Sequence, residues 1–422
     1  MRRLVRTLAS LSLLVPLHPG HLDAQTGQGG PPTQDPVALL VGRLDLDRYK
    51  ETIRGLTQFG DRRQGTERNR RAVDWIEQQL QSYGCATERL YYEFDPPPPP
   101  PLTPADSAAR AAALEAARNR PPRDPVIASG EFRFGPGGSR YRGIQQPTGV
   151  NNDPMRQPDE RLRELNREPA TNGPRSQVYC TKVGATRPHE MYIVGAHMDG
   201  HGWGEAANDN GSGTALVMEL ARIFSSPDVV TERSIRFALW NNEETGLDGA
   251  EAYVQQRAGL QGIESPPGSG QFPEPLWLGM VQHDMMLWDH GMPRADGTWN
   301  PDQRPEADVN IEFQSTAIRA DEAMRLAFFF RAANERYATD YPAAVGPHMT
   351  NTDSTPFMNL VPAISLRENE RGMHTGAGWN PTWHQPIDVF TTFSDDDFRL
   401  GLNAAQTTLG AIGQLAGARL SR

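Results

Sequence analysis

Met191 to Gly213 reads MYIVGAHMDGHGWGEAANDNGSG, and the interpretation of the whole chain starts from this stretch. The apolar run Met191–Val194 has the make-up of a buried strand, which runs out at Gly195 into His197 and Asp199. Two residues apart on extended backbone, those side chains face the same way, one as a metal ligand and the other as its supporter. Asp209 stands just ahead of Asn210-Gly211-Ser212-Gly213 and the apolar-periodic TALVMELARIF. That spacing predicts a strand-to-helix turn with Asp209 beside a helix N-terminus, where a carboxylate can face the same cleft as His197. A His-x-Asp pair alone is more often a satisfied hydrogen bond than a site. Its meaning therefore depends on the residues downstream.

There, the strand Ser234–Trp240 ends in Asn241-Asn242-Glu243-Glu244-Thr245-Gly246. Adjacent side chains on extended backbone point opposite ways, so one glutamate can bind a metal while its neighbour reaches the attacking water. A glutamate pair in isolation is usually a solvated turn, but this one ends an apolar strand, where α/β sites form. The next strand, Leu276–Gln282, runs into His283-Asp284-Met285. Trp383-His384-Gln385-Pro386-Ile387-Asp388 adds a late imidazole, with Asp388 as the expected partner of its other ring nitrogen. His197, Asp209, Glu244, Asp284 and His384 together supply two imidazoles and three carboxylates. With one carboxylate bridging, such a set satisfies two cations about 3.5–4 Å apart. Imidazole with carboxylate suits zinc, with cobalt or manganese as substitutes.

The 422 residues are 37% apolar and 22% charged, enough for one large α/β domain or two modest ones. A net charge of −10 makes nucleic acid a poor partner. Residues 1–24 place Arg2 and Arg3 before the apolar Leu8–Leu17 and end in small and polar residues, the pattern of a secretory signal peptide. That apolar run is too short to cross a bilayer, and no later segment is long enough. Export to a periplasm or the cell exterior would put Cys85 and Cys180 in an oxidising compartment, and a disulfide between them is expected, against the alternative of two buried thiols.

Residues 25–43 read as a flexible leader, with the catalytic domain filling 44–422. Helices are expected over 44–59 and 67–83 and a strand over 87–94. Pro96–Pro101 then opens a stretch rich in Ala, Gly, Pro and Arg, so 95–175 is read as an insertion, either a poorly ordered decoration or a flap over the site. From 177 onward strands (177–183, 191–196, 234–240, 277–282, 362–366) alternate with helices (211–224, 247–257, 317–336, 395–417). This is the pattern of an open α/β sheet covered on both faces.

At these residues the sequence resembles the co-catalytic di-zinc exopeptidases related to bacterial leucyl aminopeptidase and aminopeptidase Y, metallopeptidase family twenty-eight. The resemblance is carried by GAHMDG at 195–200, ANDNGSG at 207–213, NNEETGLDGAE at 241–251, HDMM at 283–286, TDSTPF at 352–357 and WHQPID at 383–388. It covers most of 44–94 and 177–419. It implies a three-layer αβα sandwich around a central mixed, mostly parallel sheet. It also implies that His197 and Asp284 hold one zinc, that Glu244 and His384 hold the other, and that Asp209 bridges them. Glu243 would be the general base, Asp199 would orient His197, Asp353 would support the site, and the Asp209–Asn210 peptide would be cis. Trp383 and Gln385 depart from the family's usual Tyr or Phe and Thr. His201, His283, His290, His348 and His374 are left as structural or pocket-lining, with His201 and His374 nearest substrate.

Asn210 resembles the aminopeptidases rather than the glutamate carboxypeptidase branch, where proline is usual. The resemblance therefore implies a secreted zinc aminopeptidase acting on peptides. A carboxypeptidase or dipeptidase, a one-zinc glutaminyl cyclase and a noncatalytic receptor-like relative are the alternatives. The last of these usually lacks ligands or the base.

Overall fold

The computed structural model describes residues 35–96, 112, 150–290, 302–305, 307–349, 351–368 and 380–421. The stretches read as a signal peptide and as a leader up to residue 34, most of the stretch read as an insertion, and His374 lie outside the described residues.

The strands are β1 (Ala86–Phe94), β2 (Gly173–Lys182), β3 (Arg187–His197), β4 (Val229–Val230), β5 (Arg233–Trp240), β6 (Leu276–His283), β7 (Val309–Glu312), β8 (Ala343–Gly346), β9 (Ala363–Arg367) and β10 (Arg419–Leu420). Eight of them form one sheet in the order β1-β2-β5-β3-β6-β9-β7-β8, and β4 pairs with β10. β3 runs parallel to β5 and β6, β6 to β9, and β7 to β8. The β1/β2, β2/β5 and β7/β9 pairs are antiparallel. The centre is thus parallel and the antiparallel pairings lie toward the edges. Four strand ends, those of β5, β3, β6 and β9, lie side by side.

Alternation sorts the sheet's side chains into two cores. Val194, Ala196, Phe237 and Leu239 point to one face, where they meet α1 (Pro36–Val41), α2 (Leu46–Thr57), α3 (Glu67–Ser82), α5 (Gly211–Phe224), α7 (Ala320–Tyr337) and α8 (Asp395–Leu415). The short α4 (Glu160–Leu165) lies in the later part of the stretch read as an insertion. Met191, Ile193, Ala238 and Trp240 point to the other face, against Tyr253 of α6 (Asp248–Arg257) and Phe357. These two cores, one on each face, make the three layers. Helix α5 is buried along nearly its whole length because sheet and helices enclose it, which is why its sequence is apolar on more than one face. At the start of α8 the Ser394 hydroxyl accepts from the Asp397 N–H and the Asp397 carboxylate accepts from the Ser394 N–H, a reciprocal cap.

Several boundaries differ from the expectation. The end of the stretch expected as a flexible leader, residues 36–41, is helix α1. Asp35 caps it through the Val37 N–H, Pro36 presets its first turn, and Val37, Leu40 and Val41 are buried, so one short apolar stripe suffices to dock it. β2 starts at Gly173, inside the stretch read as an insertion, because its ladder with β1 runs out to the Gly173–Phe94 pair. β7 and β8, four residues each, are too short to show a period in sequence. No helix among the described residues is long and apolar enough to cross a membrane.

Cys85, just before β1, is bonded to Cys180 in β2, closing a loop of 95 residues in sequence separation. The protein unfolded without reductant should therefore present no reactive thiol, and two after reduction. Reduction should lower its unfolding free energy by about 2–5 kcal/mol in a denaturant titration.

Candidate metal centre

At the carboxyl ends of the parallel strands the chain turns away from the sheet and leaves a crevice. β3 delivers His197 to its rim. The Nδ1–H of His197 donates to the backbone carbonyl of Asp199 at 3.0 Å, which leaves Nε2 facing inward. That Nε2 lies 3.4 Å from Asp209 Oδ1 and 3.4 Å from Asp284 Oδ1. His384 Nε2 lies 3.2 Å from Asp209 Oδ2 and 2.9 Å from Glu244 Oε2. The two oxygens of Asp209 therefore face two different imidazoles, each with a further carboxylate beside it.

Each side chain is fixed from behind. The Asp209–Asn210 peptide is cis. Asn210 caps α5, accepting from the Gly213 N–H at 2.9 Å and donating Nδ2 to the His283 carbonyl at 2.8 Å. Asp388 does not serve the ring of His384, as its spacing led us to expect. Its two oxygens accept the backbone N–H groups of Asn208 and Asp209 at 2.8 and 3.0 Å, because the 384–388 turn packs on the loop carrying Asp209. Asp199 likewise divides its duties differently from the expectation. Its backbone carbonyl holds His197, while its carboxylate, 3.9 Å from that ring, accepts the Glu243 N–H at 3.1 Å. Asp353 is buried and accepts from Gln282 Nε2 at 2.8 Å.

Three groups with no legible signal complete the frame. The buried guanidinium of Arg62 donates to the carbonyls of Gly60, Met198, Glu205 and Ala206, tying together both ends of the loop between His197 and Asp209. Arg367, at the end of β9, places Nη2 2.9 Å from Asp284 Oδ2. Glu368 accepts from the Asn208 side chain and from the Leu287 and Trp288 N–H groups, locking the loop after Asp284 to the loop before Asp209. Arginine and glutamate are usually surface residues, so nothing in a single sequence marks these as interior. Among the remaining histidines, His283 bonds Gly195 and Thr408 and His290 bonds Asp397, both structural roles. His201 instead reaches the site, with Nε2 2.9 Å from Glu244 Oε2.

The electrostatics separate the two adjacent glutamates. Burial pushes Glu243 well above the usual carboxylate range, opposed by His197 and reinforced by Glu244 and Asp284. Burial acts upward on Glu244 as well, but His384 and His201 overcome it and hold its carboxyl well below that range. His384 is pushed up to about 10, as Glu244 and Asp209 outweigh the effect of burial. Asp199 is pushed up to about 6 by burial. Glu244 Oε1 is buried without a hydrogen-bond partner. Its Oε2 lies between the His201 and His384 imidazoles, and a carboxylate with one oxygen so placed and the other unpartnered fits a divalent cation in both hardness and charge. Donor atoms from His197, Asp209 and Asp284 converge within 4.8 Å of one another, as do those of His201, Glu244 and His384.

The model of peptidase family M28 matches residues 178–405. An aminopeptidase of Pseudomonas aeruginosa is 42% identical over 71 residues, which are 17% of this chain and 13% of that protein. Carboxypeptidase Q of Xenopus laevis is 32% identical over 89 residues, covering 20% of this chain and 19% of that one. The chain thus spans less than a fifth of the length of either curated relative in these matches. A solved structure of BSAP, a zinc aminopeptidase from Bacillus subtilis, superposes with a TM-score of 0.55 over 88% of this chain and 95% of its own, at 16% identity. At that identity the likeness is one of fold.

Asp388→Ala should release the two N–H groups that aim Asp209 while leaving every donor atom in the crevice intact. Divalent-cation affinity should fall about 10–100-fold, measured by competition with a chromogenic chelator.

Proposed function

The chain belongs to peptidase family M28, and from that premise we propose that it is an exported, zinc-dependent aminopeptidase that hydrolyses N-terminal residues from peptides. The observation that carries the reading is the position of Asp209, one oxygen toward His197 and the other toward His384. On this reading His197 and Asp284 hold one zinc, Glu244 and His384 the second, and Asp209 is shared. When bound, the two ions supply Lewis-acid polarisation of the scissile carbonyl and make water more acidic.

The chain's own contribution is proton handling and orientation. Glu243 takes the proton of the attacking water and hands it to the leaving amine. Its burial raises its proton affinity, which suits a group that must accept and then return a proton. Asp199 keeps Glu243 in place through the backbone N–H, and Arg367 keeps Asp284 in place by an ion pair. The contrast between the two glutamates, one raised and one lowered, supports this division into base and ligand.

Two observations support action at the amino end. The Pseudomonas relative is named an aminopeptidase, and Asn210 stands where the glutamate carboxypeptidase branch usually has proline. The match to carboxypeptidase Q supports the second reading, a carboxypeptidase with the same metal ligands. Leucyl, arginyl and glutamyl anilides, run against amino-blocked peptides with free carboxyl ends, separate the two. Export rests on the signal-peptide pattern of residues 1–24 and accords with the Cys85–Cys180 bond.

Glu243→Gln should retain two zinc ions by elemental analysis and lose about 10²–10⁴-fold in kcat. Unchanged kcat would remove Glu243 from the mechanism. Chelation should abolish turnover of the wild type, and added zinc should restore it.

A further inference from the structure

His201 stands in Gly200-His201-Gly202-Trp203-Gly204, a run whose glycines have a steric purpose. A Cβ on Gly200 would meet Ala206 Cβ at 2.6 Å and the Asp209 carbonyl at 2.7 Å. Gly202, at φ +104°, would place a Cβ 2.4 Å from the carbonyl carbon of His384, and Gly204 would place one 2.7 Å from the Asp388 carbonyl. The loop therefore lies directly on the 384–388 backbone, an approach any side chain at these positions would obstruct.

The later part of the stretch read as an insertion pins it there. The Asn151 N–H donates to the His384 carbonyl at 3.0 Å, and Asn151 Nδ2 donates to the Gly202 carbonyl at 3.4 Å. Gln157 Nε2 donates to the carbonyls of Trp203 and Pro386 at 2.8 and 2.7 Å. His201 is thus held in register with His384. The two rings sit edge-on with centroids 4.2 Å apart, and both Nε2 atoms lie 2.9 Å from the same oxygen, Glu244 Oε2.

Resting on the proposed two-zinc centre, we propose that His201 is a further ligand of the ion held by Glu244 and His384. Two imidazoles and a glutamate are a complete zinc-binding triad, and Asp209 Oδ2, 3.2 Å from His384 Nε2, makes a fourth protein donor. The ion on this side is then closed by protein. The ion on the side of His197, Asp284 and Asp209 has three protein donors and keeps the open position that chemistry requires. The two ions accordingly have separate roles: the closed one anchors Asp209 and the 384–388 turn, and the open one meets the substrate. A substrate-contacting His201, by contrast, would need its Nε2 free of Glu244.

The test is metal binding by the full chain, measured with zinc by chelator competition and with cobalt by visible absorption. The wild type should bind two ions, one of them released far more slowly. Loss of a supporting partner alone costs about 10–100-fold in metal affinity, so His201→Gln should weaken one ion by about 100-fold or more and leave the other unchanged. Its cobalt spectrum should lose the intensity of a four-coordinate site. His201→Asp, which returns a donor, should recover part of the affinity, as a packing role would not. His201→Gln binding both ions as tightly as the wild type, with an unaltered cobalt spectrum, overturns the proposal even if KM changes. A wild type that binds no divalent ion overturns the metal-centre reading itself.

Discussion

Like charges buried together are the constraint on which the rest of this structure depends. Asp199, Asp209 and Asp284 are buried in one crevice with Glu243 and with Glu244, whose side chain is 6% exposed. At a separation of about 4 Å, two such carboxylates repel by about 4 kcal/mol even at an effective dielectric constant of 20. A fold can tolerate that only by supplying protons, organic cations or metal ions. Here burial raises the proton affinity of Glu243 and Asp199, the imidazoles stand between the acids, and Arg367 pairs with Asp284. Divalent ions would add fixed positive charge to that balance.

The surrounding frame prevents the acids from relaxing apart. Arg62 ties both ends of the His197–Asp209 loop, Asp388 holds the Asp209 backbone, and Glu368 joins that loop to the one after Asp284. These groups are themselves buried and polar: Arg62 and Asp388 are satisfied by backbone partners, and Glu368 by two backbone N–H groups and the Asn208 and Asn380 side chains. Removing one would strand several carbonyls or N–H groups, at a cost of about 1–3 kcal/mol for each group left bare. The sheet order explains why one frame can hold all the loops. β5, β3, β6 and β9 are neighbours, so residues 240–244, 197–199, 283–284 and 367–368 emerge side by side although they are far apart in sequence.

This arrangement sets how far a reading of the sequence can reach. A parallel strand buried on both faces leaves a continuous apolar run, and the polar residue that ends it stands out, which is why His197, Glu243, Glu244 and Asp284 are legible together with the αβα layering. Asp209 is legible through the glycine-rich start of α5. The partners of Asp388 are not, because a carboxylate four residues after His384 is equally well spaced for the ring or for another loop, and only tertiary packing decides. Arg62 and Arg367 are invisible because their partners are backbone carbonyls and an aspartate brought close by the fold. α1 is hidden by a composition that resembles a tail until Val37, Leu40 and Val41 find a surface to cover. His201 reads as pocket-lining in sequence because its proximity to Glu244 depends on glycine contacts with the 384–388 backbone, more than 180 residues away.

The central claim is that Asp209 sits between two divalent ions. Anomalous diffraction from zinc-soaked crystals, recorded on both sides of the zinc absorption edge, tests it most directly. The account predicts two anomalous peaks, one on either side of the Asp209 carboxylate, the first against His197 and the second against His384. A single peak, or two peaks that do not share Asp209, would contradict it.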